Sequence, residues 1–122
     1  MDLSFLKELE GEDYYNSIIE LPYEKPTYNI KTPVNKIYGC GSDAWVDVDD
    51  SGKVVFESTS IFVTGLLSAL SSQVSIDTVL ETRLEDYDIF TPEKISMRRY
   101  RGLRSAFEKI QNIVKHKYNT RG

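Results

Sequence analysis

The sequence predicts an α+β domain in which a small, curved antiparallel sheet of about three strands packs against several helices. Apolar residues recur at helical spacing, in threes and fours, near both ends of the chain. Strand-like alternation is confined to the middle, around a turn signal. A length of 122 residues suffices for one hydrophobic core. We therefore expect one domain over residues 1–122, with a frayed tail at 118–122.

The N-terminal part is expected to be helical and then extended. Residues 3–9 suit one or two helical turns, which end at Gly11. From Glu12 to Leu21 apolar side chains recur at helical spacing, and acidic residues at the start of this segment suit the helix dipole. Three prolines within residues 21–33 predict an extended loop, because proline cannot continue a helix.

The middle of the chain predicts the sheet. Residues 34–38 form the first expected strand. Residues 44–49 form the second, with alanine and two valines on one face and Trp45 on the other. Residues 53–57 form the third, and the turn signal Asp50-Ser51-Gly52 joins the last two strands into a hairpin.

The remaining elements are expected to be helices. A run from Ile61 to Ser72 is apolar nearly all round, which predicts a buried central helix with a serine or threonine cap at 58–60. Short helical segments are expected at 75–80 and 84–90. A long helix is expected from Pro92 to about Lys117, with Arg99 on its apolar stripe, facing the domain.

Composition and charge exclude several classes of protein. The formal net charge of −4 argues against nucleic acid as the main partner. The charge is uneven, because residues 1–57 carry twelve acids and five bases whereas residues 98–122 carry one acid and eight bases. Such asymmetry can steer association with a charged protein surface, although a solvated helix face and a basic tail explain it more simply. No apolar run is long enough for a membrane span, and the first ten residues resemble no secretory signal.

Metal and disulfide chemistry are also not expected. Cys40 is the single cysteine, so neither a disulfide framework nor a structural zinc site is expected, and a reducing, cytoplasmic setting fits. The spacing Asp47-x-Asp49-x-Ser51-Gly52 matches the start of a calcium loop. Ser58, however, stands at the twelfth position, where such loops need a bidentate glutamate. We expect no metal and no cofactor.

The candidate site is the stretch Gly39-Cys40-Gly41. Glycines on both sides allow a sharp turn, and apolar residues bracket it, so a thiol would be presented at the tip of an anchored loop. The only histidine, His116, lies near the basic C-terminus, so a base-assisted acyl-transfer enzyme is improbable. Sulfur exchange needs no such base, because a thiolate attacks a polarisable sulfur directly. From composition alone, an incidental surface cysteine remains the alternative.

Three motifs in order resemble the SufE family, the sulfur acceptors of iron–sulfur cluster assembly. Gly39-Cys40-Gly41-Ser42-Asp43-Ala44-Trp45 resembles the family's G-C-x-S-x-x-W segment. Ser58 with Val63-Thr64-Gly65-Leu66 is similar to S-x-x-x-x-V-x-G-L, and Arg99 to Leu103 fits R-x-x-G-L. The chain departs from the family pattern at several positions, with Gly41 where glutamine is usual and Arg98 where serine is frequent; the other departures are Tyr38, Ala44 and Thr59.

The resemblance implies a fold, a function and a set of site residues. It implies an IscU/SufE-like fold and a carrier that accepts persulfide sulfur from a cysteine desulfurase of SufS type. It also implies stimulation of that desulfurase and delivery to a downstream Fe–S scaffold complex. Cys40 would be the acceptor and Arg99 the arginine that supports the loop or the interface; the remaining expected loop-support or partner-binding residues are Gly39, Gly41, Ser42 and Trp45. The alternative is a regulatory binding module that relays no sulfur, and Cys40→Ser would separate the two.

Overall fold

The structure, a computed structural model, describes residues 2–39 and 41–118 of the chain. Three α-helices and a three-stranded sheet carry the described fold. The helices are α1 (Gly11–Ile19), α2 (Ile61–Gln73) and α3 (Met97–Tyr118). The strands are β1 (Lys36–Ile37), β2 (Ala44–Val48) and β3 (Val54–Ser58). The expected α+β class is confirmed.

The sheet is antiparallel, with β2 between β1 and β3. Ala44, Val46 and Val48 are fully buried on the inner face of β2, whereas Trp45 and Asp47 on the other face are half-buried. This is the alternation that the sequence predicts. The first strand is shorter than the predicted 34–38, because only Lys36 and Ile37 pair with β2.

The central helix α2 is buried from Phe62 to Leu70. Ser60 caps it, and its hydroxyl accepts a hydrogen bond from the Val63 amide at 3.2 Å. Gly65 lies against α1, where a Cβ atom would collide with the carbonyl oxygen of Ile18. A glycine at this point lets the two helices approach closely, and α2 also packs against β3 and α3.

The long C-terminal helix starts five residues later than predicted. Pro92 lies in a turn in which the Lys94 amide donates to the Thr91 carbonyl at 2.9 Å. Ser96 precedes the helix, and its hydroxyl accepts from the Arg99 amide at 3.2 Å. The capping serine sets the start of α3, whereas the proline only begins a turn before it. The buried stripe of α3 packs on β2 and α2, as the apolar spacing predicts.

Three other predictions of local structure need correction. Gly11 begins α1 and does not end the preceding segment, which is a single 3₁₀ turn at Ser4–Glu8. The helical segments predicted at 75–80 and 84–90 are 3₁₀ turns at Val79–Glu81 and Leu84–Asp86. Serine and threonine side chains satisfy the backbone locally in this region, which favours turns over continuous helix. Of the predicted frayed residues 118–122, Tyr118 is the last residue of α3, and residues 119–122 lie outside the described residues.

Candidate functional site

The connection between β1 and β2, residues 38–43, is called the site loop. Its backbone turns at two glycines, Gly39 with φ +94° and Gly41 with φ +79°. Other residues rarely adopt these angles, so both positions favour glycine, as the sequence predicts. Tyr38 and both glycines are exposed. Cys40, the predicted acceptor, lies between them in the chain and outside the described residues.

The end of the loop is fixed by the segment that leads into α2. The Asp43 carbonyl accepts from the Ser58 hydroxyl at 2.9 Å and from the Thr59 amide at 3.0 Å. The Asp43 carboxylate also pairs with Lys36 of β1, with 3.3 Å between Oδ1 and Nζ. Asp43, Ser58 and Thr59 are thus backbone supports for the loop. Sequence reasoning assigned them no such contact, because it spans fifteen residues of chain.

Arg99 connects the loop to the helices. Its Nη1 donates to the Ser42 hydroxyl at 3.4 Å, and its guanidinium lies 5.8 Å from the centre of the Phe62 ring. Phe62 is stacked in turn on Tyr15, with 4.8 Å between ring centres. The structure therefore brings together two of the predicted site residues, Ser42 and Arg99, and sets them on an aromatic support from α1 and α2.

Arg98 also lies at the loop, and sequence reasoning missed it because residues 98–122 were explained as a solvated helix face and a basic tail. Its Cδ lies 3.0 Å from the position that a Cβ on Gly41 would occupy, and its Nη1 lies 3.4 Å from the same point. The available signal was that positions 41 and 98 are both among the departures from the family pattern.

Trp45, another predicted site residue, lies just beyond the loop on the outer face of β2. It faces Lys36 across one strand pair and Glu57 across the other. The ammonium of Lys31 lies 5.6 Å from the centre of its ring. Trp45 is therefore placed at the root of the loop, on the opposite face of the sheet from the core.

A small apolar crevice adjoins the root of the loop between β1, α2 and α3. Its volume is about 10 Å³, close to the least that can hold one water molecule. It is lined by Ile37, Val63, Leu66, Leu67, Arg99, Gly102 and Leu103. Arg99 contributes both to this crevice and to the contact with Ser42, so the crevice and the loop share one side chain.

The described residues do not assemble a metal centre. Across residues 2–39 and 41–118, no cluster of three or more histidine, aspartate or glutamate side chains is placed to bind an ion. Within the same ranges, no helix is long and apolar enough to cross a membrane. The predicted calcium-like turn instead uses its carboxylate internally: the Asp49 Oδ1 atom accepts from the backbone amides of Ser51 and Lys53.

Comparison with known proteins supports the family resemblance. Residues 3–114 match the model of the SufE family, described as an Fe–S metabolism associated domain. An uncharacterized SufE-like protein of Rhizobium etli is 31% identical, over 93% of this chain and 85% of that protein. A second uncharacterized SufE-like protein, from Rhizobium meliloti, is 32% identical, over 91% of this chain and 88% of that protein. The matched residues include the site loop, the whole of α2 and most of α3.

Proposed function

The chain belongs to the SufE family, whose domain is associated with Fe–S metabolism, and we propose that it is a sulfur carrier whose Cys40 accepts persulfide sulfur. The donor would be a cysteine desulfurase of SufS type, which the chain would also stimulate. The sulfur would then pass to a downstream Fe–S scaffold complex in the cytoplasm. In this proposal the chain is an accessory partner and not an independent enzyme.

The observation that carries the proposal is the exposed loop with a positive-φ glycine on each side of residue 40. Both glycines turn the backbone sharply, and the loop is fixed at Asp43 and contacted by α3 at Ser42. A cysteine in such a loop is accessible to a second protein, whereas a structural cysteine would be expected inside an apolar element.

The transfer step needs no general base and no external oxidant. The Cys40 thiolate attacks the terminal sulfur of the desulfurase persulfide, and a new sulfur–sulfur bond forms at Cys40. The sulfur–sulfur bond of the donor breaks, and its electron pair remains on the desulfurase cysteine as a thiolate. The products are a persulfide on Cys40 and the free desulfurase thiolate, so atoms and charge balance.

We further propose that the Cys40 side chain has two positions. The apolar crevice beside Ile37 and Arg99 offers a place of low polarity next to the loop. A thiol placed there would be harder to ionise and better protected from oxidation, whereas exposure on partner binding would restore its reactivity.

The decisive experiment is mass spectrometry of the full chain after incubation with an active SufS-type desulfurase and cysteine. We expect an adduct of about +32 Da on Cys40, which is one exchanged sulfur. Cys40→Ser should carry none. Absence of the adduct from the wild-type chain, while the desulfurase turns over, would reject the sulfur-carrier function.

A matched control tests whether any exposed thiol would accept sulfur from the desulfurase. Ser51 is exposed in the turn between β2 and β3, so Cys40→Ser combined with Ser51→Cys moves the only cysteine to another exposed turn of the same sheet. We expect no adduct on this variant. Labelling at the wild-type rate would show that the site loop confers no selectivity. If Cys40→Ser still stimulates the desulfurase fully, the regulatory-module alternative is supported and the relay is not.

A further inference from the structure

The starting observation is the contact between Arg98 and the backbone of Gly41. Arg98 is the second residue of α3, and its Cδ and Nη1 atoms lie 3.0 and 3.4 Å from the ideal Cβ position on Gly41. Both distances are at or below the usual limit for a Cβ contact, so the arginine side chain occupies the space that a side chain at position 41 would need. The guanidinium consequently lies on the site loop and is not directed away from it.

Gly41 makes this contact possible in two ways. Its φ of +79° lies in the region that favours glycine, and its missing side chain leaves the backbone open to the methylene stem of Arg98. Gly39 has a similar φ of +94° but no atom within 4 Å of its ideal Cβ position. The two glycines thus differ, because Gly39 only allows the chain to turn, whereas Gly41 also makes room for the Arg98 side chain.

The charges around the loop leave this cation without a competing acid in the loop itself. Asp43 is the one acidic residue of residues 38–43, and it pairs with Lys36. From α3, Arg99 contacts Ser42 and the Phe62 ring. The titratable hydroxyl groups nearby are Tyr38 of the loop, whose ring lies 5.7 Å from the Lys36 ammonium, and Tyr15 of α1, stacked on Phe62. The one acidic side chain of the loop is therefore engaged by Lys36, and the loop itself offers Arg98 no other carboxylate.

We propose that Arg98 is a positioning residue that holds the loop backbone at Gly41 and stabilises negative charge on sulfur at the neighbouring Cys40. Residue 40 is bonded directly to Gly41, which Arg98 contacts. A guanidinium near a cysteine sulfur favours the thiolate over the thiol. The same charge stabilises an anionic persulfide after transfer. The purpose of this arrangement rests on the proposed sulfur-carrier function.

The test uses the single cysteine of the chain, because alkylation by iodoacetamide then reports on Cys40 alone. The alkylation rate of the full chain is measured from pH 5 to pH 10 for wild type, Arg98→Gln and Arg98→Lys. We expect Arg98→Gln to move the midpoint of the pH–rate profile upward by about half a unit, which slows alkylation at pH 7 about threefold. Arg98→Lys should restore most of the rate, because it keeps the charge.

Lys115→Gln is the matched control for net charge. Lys115 is exposed on the same helix, seventeen residues further on, which is roughly 25 Å along the axis and beyond the screening length at physiological salt. Its profile should coincide with that of wild type. The proposal is overturned if Arg98→Gln leaves the midpoint unchanged, or if Lys115→Gln shifts it equally.

The readout separates this inference from the proposed function. Alkylation needs no desulfurase, so a shifted midpoint in Arg98→Gln supports the role of Arg98 even if no +32 Da adduct forms on wild type. Conversely, an adduct on wild type together with an unshifted midpoint supports the carrier and rejects the role of Arg98. Where both hold, Arg98→Gln should also slow adduct formation, by about the same threefold factor.

Discussion

The two connections that join β2 to its neighbours in the sheet both contain glycines at positive φ, but they are stabilised differently. The turn between β2 and β3, residues 49–53, closes on itself. The Asp49 Oδ1 atom accepts from the Ser51 amide at 2.9 Å, from the Ser51 hydroxyl at 2.7 Å and from the Lys53 amide at 2.9 Å. The Gly52 amide donates to the Asp49 carbonyl at 3.0 Å. The hydrogen bonds that shape this turn are internal to it, although Asp50 and Lys53 also form exposed ion pairs with Lys117 and Glu24.

The site loop depends on contacts with other elements. Asp43 is fixed by the segment before α2, Ser42 by Arg99, and Gly41 by Arg98. The conformation of the site loop therefore depends on side chains from other elements, whereas the hydrogen bonds that shape the turn at 49–53 are its own. A turn with internal hydrogen bonds keeps its shape alone, and a loop held by its neighbours can change when those contacts change.

The largest effect on the free energy of unfolding is expected for Gly52→Ala, in the turn between β2 and β3. Gly52 has φ +88°, and an added Cβ would lie 2.8 Å from the Ile76 Cδ1 atom. Backbone strain and this contact together should lower the free energy of unfolding by about 2 kcal/mol. Urea denaturation followed by circular dichroism measures the loss. A change within error would mean that the turn is as adaptable as the site loop.

A smaller effect is expected for Asp49→Asn, and it should depend on pH. Hydrogen bonds from Ser51, then from the Lys53 amide, hold the pKa of Asp49 below its ordinary value. Its stabilising contribution is therefore present above the pKa of the unfolded chain and is lost as the pH falls through the lower, folded pKa. The urea midpoint should fall less between pH 7 and pH 3 in Asp49→Asn than in wild type.

Asp50→Asn is the control for that pH experiment. Asp50 is adjacent and pairs with Lys117 at 3.2 Å, with its side chain fully exposed. Surface ion pairs of this kind contribute little to stability. Asp50→Asn should therefore keep the wild-type dependence on pH. If both variants behave alike, Asp49 has no special role in closing the turn.

A smaller loss of stability, about 1 kcal/mol, is expected for Gly39→Ala in the site loop. Its φ of +94° is close to that of Gly52, but nothing lies within 4 Å of its ideal Cβ position, so only backbone strain remains. The functional effect should be larger than the structural one, because the strained residue adjoins Cys40. Urea denaturation and the rate of adduct formation give the two quantities. Equal losses of stability in Gly39→Ala and Gly52→Ala would contradict the comparison.

The smallest effect expected on the free energy of unfolding is an energetic coupling between substitutions at positions 41 and 98. Gly41→Ala places a methyl group against the Arg98 stem, and Arg98→Ser removes that stem. The free energy lost through Gly41→Ala should therefore be smaller in the Arg98→Ser background, by about 0.5 kcal/mol. A double-mutant cycle in urea measures the coupling. A value of zero would mean that the arginine moves aside freely.

Much of the fold could be predicted because single elements carry strong patterns. The all-round apolar run of α2 predicts its burial, and the alternation from Ala44 onward predicts the inner face of β2. The predicted start of α3 was wrong because both Pro92 and Ser96 are residues that commonly begin a helix. Only the contacts of the preceding turn determine which of them does so here. The predictions of helix at 75–80 and 84–90 were wrong because the 3₁₀ turns found there depend on local side-chain hydrogen bonds that periodicity does not detect.

The site was predictable where it depends on neighbours in sequence and not where it depends on distant ones. The turn at Gly39 and Gly41 follows from the two glycines themselves. The place of Arg99 at the loop came from the family resemblance, because its contact with Ser42 joins residues 57 apart. Arg98 was missed since helical periodicity alone does not show that the helix begins beside the loop. Similarly, Arg104 pairs across the fold with Glu85 at 2.9 Å, a contact that helical spacing does not predict.

The short pairing of β1 with β2 limits how far the loop of the proposed sulfur carrier could extend toward a donor. Only two residue pairs join the strands, and the pair next to the loop, Ile37 with Ala44, is buried at 3% and 0% exposure. Separating that pair would expose the isoleucine at a cost of about 2 kcal/mol, so the loop can extend by no more than its six residues, and only if the contacts of Asp43 are released. Three extended residues in each direction span about 10 Å. A donor cysteine recessed further than this beneath its own surface is out of range unless the donor protein also moves.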